Sequence, residues 1–165
     1  MRVFFYNHID FITEEAQMPD VRIYAINYKE EANRHYIDLE MLHNTSYEKM
    51  PGTLAEAKAK FGDSLLQKSG LLPWYIDDII TKLTKAFHDK NKPYILFQAG
   101  DLAHYIGDAH MPLHTTINHD GQLSGQKEFI LSGKLSYLKV LVAVITFIQA
   151  VPYISTIPKR RSGGS

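Results

Sequence analysis

Residues 104–116, HYIGDAHMPLHTT, set His104, Asp108, His110 and His114 around Pro112. Imidazole and carboxylate groups are good ligands for zinc, and the chain has no cysteine, so a zinc site here must be made from His, Asp and Glu. His104 and Asp108 are four positions apart in a stretch that reads as helical. Both side chains then lie on one face, where a ring nitrogen and a carboxylate oxygen can reach one ion. Pro112 cannot continue that helix, because its ring would clash with the carbonyl of Asp108. The chain is therefore expected to turn over 109–111 and carry His114 back beside the helix end. His110, six residues after His104, points to a different face and is set aside. Taken alone, a His-x3-Asp pair is more often a surface ion pair than a metal pair. The metal reading gains from Asp20, which follows Pro19, and from His35 in RHYID, fifteen residues further on.

Together these residues resemble the superfamily of zinc-dependent phospholipases C and single-strand-specific nucleases of the S-one/P-one type. The resemblance rests on Asp20, on His35 in RHYID, and on the His-x3-Asp-x5-His spacing of His104, Asp108 and His114, followed by the Gly-containing loop NHDGQ. It covers residues 4–127 and implies an all-α bundle that hydrolyses phosphodiesters with three clustered zinc ions. Asp20, His35, His104 and Asp108 would hold one zinc, Asp108 would bridge to a second, and His114 would bind the third. Asp20 and Asp108 would be the catalytic carboxylates. Such a cluster polarises a phosphoryl oxygen and lowers the pKa of bound water to about 7. The implied substrates are single-stranded nucleic acid or a phospholipid head group. No stable protein partner is implied.

The elements that must position these ligands read as helices. Phe4, Phe5, Ile9, Phe11 and Ile12 recur at helical spacing over 3–17, and Met18-Pro19 marks a stop. TLAEAKAKFGDSLLQ starts at Thr53, an N-cap with Glu56 three residues on, and is expected to stay helical until Gly70. Two further helices open with Pro73 and Pro93 in their first turns. No convincing alternating run is present, so the fold class is all-α. At 165 residues the chain is the size of one domain. With 18 basic against 18 acidic residues it carries no field that favours or excludes nucleic acid. MRVFFYNHIDFITEE is not a secretory signal, because Asn7, His8 and Asp10 interrupt its apolar run. The resemblance implies that intact family members are exported, so the compartment of this chain is left open.

Measured against the family pattern, the bundle is incomplete at both ends. The family's N-terminal metal-binding tryptophan has no counterpart, and His8 lies within the first helix and is not promoted. After the Gly loop the family continues with Gly-x-His-x3-Glu or Asp, two further partners for the zinc served by His114. Here the sequence runs GQKEFILSGKLSYL instead. One complete zinc site is therefore expected, and a non-catalytic zinc-binding protein is the alternative to an enzyme. Residues 128–165 form an atypical apolar tail. Val140–Pro158 has no charged residue, yet Gln149 and Pro152 make it a marginal membrane span, and membrane contact by this tail is not expected. A tail-anchored interaction module is a third reading. The tail also reads as frameshifted: codons for Glu128–Lys134, with one nucleotide restored ahead of them, can spell Gly-Ile-His-Ser-Phe-Trp-Glu. Sequencing the gene checks this directly. The alternative frame should encode a histidine and an acid four apart, and any other codons there refute the frameshift.

Overall fold

A computed structural model of the chain describes residues 2–43 and 49–126. The Asn44-Thr45-Ser46 sequon and the tail from 128 onward lie outside the described residues. The described residues are helical and contain no strand, as expected of an all-α protein. The helices are α1 (Arg2–Tyr6), α2 (Ile9–Glu15), α3 (Met18–Tyr24), α4 (Lys29–Ala32), α5 (Leu54–Phe61), α6 (Asp63–Ser69), α7 (Leu72–His88) and α8 (Lys92–Ala109), followed by a 3-10 turn at Pro112–Thr115. Among the described residues no helix is long and apolar enough to cross a membrane.

Two of the helices expected from periodicity are divided. The first breaks at Asn7-His8, where the His8 ring bonds the Phe4 carbonyl at 2.7 Å, so α1 and α2 are separate segments. The stretch stops at Glu15, just ahead of Met18-Pro19 as expected, and the pair opens α3, with proline in the first turn, where a missing N–H costs no hydrogen bond. The second break falls at Gly62. Its φ of +80° and ψ of 148° lie in a region that essentially only glycine occupies, and the chain there leaves α5 and starts α6. The start of α5 is as expected. The Thr53 hydroxyl accepts from the Glu56 N–H at 3.2 Å while the Glu56 carboxylate accepts from the Thr53 N–H at 3.1 Å.

The long pair α7 and α8 forms a helical hairpin around the three-residue turn 89–91. Lys90 adopts a left-handed φ of +54° in that turn, and the Asn91 side chain caps α8 by accepting from the Tyr94 N–H at 3.2 Å. Phe5, Ile12 and Ala16 from the front of the chain pack with Leu72, Ile79, Leu83 and Leu102 into one core. Burying an aliphatic or aromatic side chain of this size contributes about 1.5–3 kcal/mol. A smaller core joins Ile37, Leu42, Ala57, Leu66 and Trp74 beneath α5 and α6.

Residues 33–39 form an irregular segment after α4, clamped on both sides. Toward the α6–α7 corner, the Asp38 N–H donates to the Ser69 carbonyl at 2.6 Å, and the Leu72 N–H donates to the Tyr36 carbonyl at 3.3 Å. Toward the 3-10 turn, the Ile37 and Leu39 N–H groups donate to the carbonyls of His114 and Thr115 at 2.8 and 3.3 Å. Gly70 makes the first clamp possible. Its φ is +93°, and a Cβ there would sit 2.0 Å from the Tyr36 carbonyl oxygen. Gly62 has a similar backbone and open space around it. Replacing Gly62 by alanine should therefore cost only backbone strain, about 1–3 kcal/mol. Gly70→Ala adds a clash against main chain and should lower the denaturation midpoint considerably further; equal losses in the two variants would contradict the clamp.

Candidate metal centre

Helix α8 is buried along most of its length, and its interior side chains include Asp101, His104 and Asp108. Polar groups in such a position require partners. His104 is fully buried, and its Nδ1 lies 2.9 Å from the carbonyl oxygen of Ala16 at the end of α2. A carbonyl only accepts, so Nδ1 donates, and in the neutral ring the lone pair of Nε2 faces the other ligands. This contact depends on close approach of α2 to α8. A Cβ on Gly100, one turn before His104, would stand 2.6 Å from the Glu15 Cβ.

His104 Nε2 faces His35 Nδ1 at 3.0 Å. Asp108 Oδ2 lies 2.9 Å from His35 Nδ1 and 3.2 Å from His104 Nε2. Asp20, in the first turn of α3, brings Oδ1 to 3.9 Å from each of the two ring nitrogens. The ligand atoms of Asp20, His35 and His104 all lie within 4.8 Å of one another. Four ligands held 2.0–2.2 Å from zinc in a tetrahedron stand about 3.3 Å apart. The five separations just given, from 2.9 to 3.9 Å, bracket that edge. Asp20, His35 and His104 could thus hold a divalent cation, with the Asp108 carboxylate beside the two rings. Burial alone would raise the Asp108 carboxyl, but the His104 and His35 imidazoles outweigh it and hold the group well below the usual carboxylate range.

The second oxygen of Asp108 faces elsewhere. The α8 helix ends at Ala109, the chain turns, and the 3-10 turn returns buried His114 with Nε2 3.6 Å from Asp108 Oδ1. The turn is the one expected from Pro112. Asp20, His35, His104, Asp108 and His114 are therefore all brought together. His8 and His110 are exposed just past the ends of α1 and α8 and meet the Phe4 and Ile106 carbonyls of those helices, and His88 is exposed at the end of α7. Asp20 forms the rim, with about a quarter of its side chain exposed.

Sequence reasoning missed the charges behind the centre. Glu31, 1% exposed, receives the Arg22 Nε and Arg34 guanidinium at 3.1 Å each and the Tyr105 hydroxyl. Arg22 also donates to Asp101 at 2.9 Å. Burial raises the Asp101 carboxyl, against the pull of Arg22, and burial with Glu31 pushes the Tyr105 hydroxyl far up. Spacing held a signal for these groups: Glu31 is four residues before His35, and Asp101 three before His104. A further pair also escaped notice. His119 Nδ1 lies 3.1 Å from Asp38 Oδ1, and its ring stacks on Tyr36 at 3.9 Å. Burial raises the Asp38 carboxyl, and the His119 contact partly offsets it.

Compared with protein-family models, with curated proteins and with solved structures, the chain matches none. Zinc titration of single variants tests the ligand set. Asp20→Ala and His104→Ala should each abolish tight binding, whereas His110→Ala and His88→Ala should bind as the parent does. Stoichiometric zinc retained in both of the first two variants would refute the assignment.

Proposed function

We propose that this chain carries a zinc centre of the phosphodiester-hydrolase type, in which Asp20, His35, His104 and Asp108 hold the metal. The observation that supports this reading is the grouping of Asp20, His35 and His104, drawn from α3, the 33–39 segment and α8, with the Asp108 carboxylate against both rings. Bound there, zinc supplies Lewis-acid polarisation of a phosphoryl oxygen and a water acidified to about pKa 7.

The chain's own residues do the rest. His104 is locked by Ala16, so its Nε2 stays aimed at the centre. Asp108 divides its oxygens between the His35–His104 pair and His114, which suits it to bridge toward a neighbouring site. Asp20, on the exposed rim, can accept the proton of a water attacking the phosphorus. Of the two substrate classes, single-stranded nucleic acid is favoured. Tyr24, one turn beyond Asp20, is 79% exposed, and an aromatic face at such a place can stack a base. The sequence alone favours a core role for the tyrosines at 24, 28 and 36; exposure of Tyr24 removes it from the core.

One observation favours a non-catalytic zinc protein as the second reading. Among the described residues one group, Asp20, His35 and His104, is spaced to hold a metal ion, and no second such group is found. Elemental analysis together with hydrolysis assays separates the two. Hydrolysis predicts about one tightly held zinc per chain and chelator-sensitive cleavage of single-stranded DNA and a chromogenic phosphodiester, lost in Asp20→Asn. If phosphatidylcholine vesicles are cleaved instead, the lipid head group is the substrate. Stoichiometric zinc without turnover on any of the three establishes the non-catalytic reading, and absence of zinc overturns both.

A further inference from the structure

His35 turns one ring nitrogen to the centre and the other away from it. The outer one, Nε2, is buried and has no hydrogen-bond partner among the described residues; the Glu31 Oε1 oxygen stands 3.9 Å from it. Glu31 is anchored from the far side. Its Oε2 takes the Arg22 and Arg34 donors at 3.1 Å, and its Oε1 takes the Tyr105 hydroxyl. A carboxylate oxygen accommodates two donors, so Oε1 retains a place for a second. Arg22 extends the anchor to Asp101 on α8 at 2.9 Å, one turn from His104. The orphaned nitrogen therefore faces, at 3.9 Å, a carboxylate whose position is fixed from α3, α4 and α8 together.

We infer that Glu31 is the positioning residue of the metal centre: it holds His35 in the tautomer whose Nδ1 is free to bind the cation. This rests on the metal reading proposed above. A neutral imidazole has one ring proton, and with Nδ1 on the metal that proton resides on Nε2. A shift of about 1 Å in the ring or the carboxylate then completes an ordinary Nε2–H to Oε1 hydrogen bond. An imidazole ligand whose outer N–H meets a carboxylate is fixed in orientation and made more basic. Arg22 and Arg34 supply the opposite charge that makes a buried carboxylate tolerable there.

The test uses the full chain loaded with zinc and follows the histidine ring protons by nitrogen-resolved NMR, alongside zinc affinity by competition with a chelator. The parent should show an exchange-protected His35 Nε2–H. Glu31→Gln should displace that resonance and weaken zinc binding about 10–100-fold. Tyr105→Phe, which loosens the Glu31 anchor but leaves the carboxylate in place, should keep the Nε2–H and weaken zinc binding less than Glu31→Gln does. If Glu31→Gln does not fold, the parent spectrum still decides, because a His35 proton on Nδ1 in the zinc-bound chain overturns the inference. Unchanged affinity in folded Glu31→Gln overturns it as well while leaving the metal reading intact. Failure of the parent to bind zinc at all overturns the metal reading and the inference with it.

Discussion

The Asp108 carboxylate, 3% exposed at the end of a buried helix, is charge that the interior can hold only because imidazoles meet it. His35 and His104 reach one of its oxygens at 2.9 and 3.2 Å, and His114 lies 3.6 Å from the other. Two ring nitrogens only 3.0 Å apart beside a carboxylate oxygen bring lone pairs together that a proton or a metal ion must separate. The architecture is best understood as the set of constraints that keeps these groups at those distances. Gly100 lets α2 lie close enough for Ala16 to orient His104. Gly70 lets the α6–α7 corner grip the segment that carries His35. Pro112 turns the chain so that His114 returns.

Behind the centre lies a second layer of charge. Glu31, Arg22, Asp101, Arg34 and Tyr105 form a connected set in which every carboxylate has a cationic partner. Removing one member of such a set leaves its partner buried and uncompensated, which is more costly than never having built the pair. Because Arg22 is two residues from Asp20, Glu31 four from His35 and Asp101 three from His104, the same ion pairs that join α3, α4 and α8 also fix where three ligands emerge. A metal bound to those ligands would tie the front of the chain to α8 and stabilise the fold by linkage.

Much of this was legible in the sequence for a definite reason. A helix repeats its faces every three to four residues, so His104 and Asp108 could be placed on one side of α8 without coordinates, and proline geometry placed the return to His114. Asp20 and His35 could be grouped with them only through the family resemblance, because no local rule links residues so far apart in the chain. What local pattern could not give is where helices break. Gly62 divides one helix because its backbone takes a conformation other residues avoid, and the turn at His8 divides another although the apolar spacing runs on across it. The partners of Glu31 and Asp101 were equally hidden. Their charge reads as solvent-exposed in a sequence, and only the tertiary fold shows that it is enclosed.

Zinc K-edge X-ray absorption on the zinc-loaded chain tests the central claim most directly. The account predicts about four nitrogen and oxygen ligands at roughly 2.0–2.2 Å, with outer-sphere scattering from two imidazole rings. A shell of oxygen alone, without imidazole scattering, would contradict it.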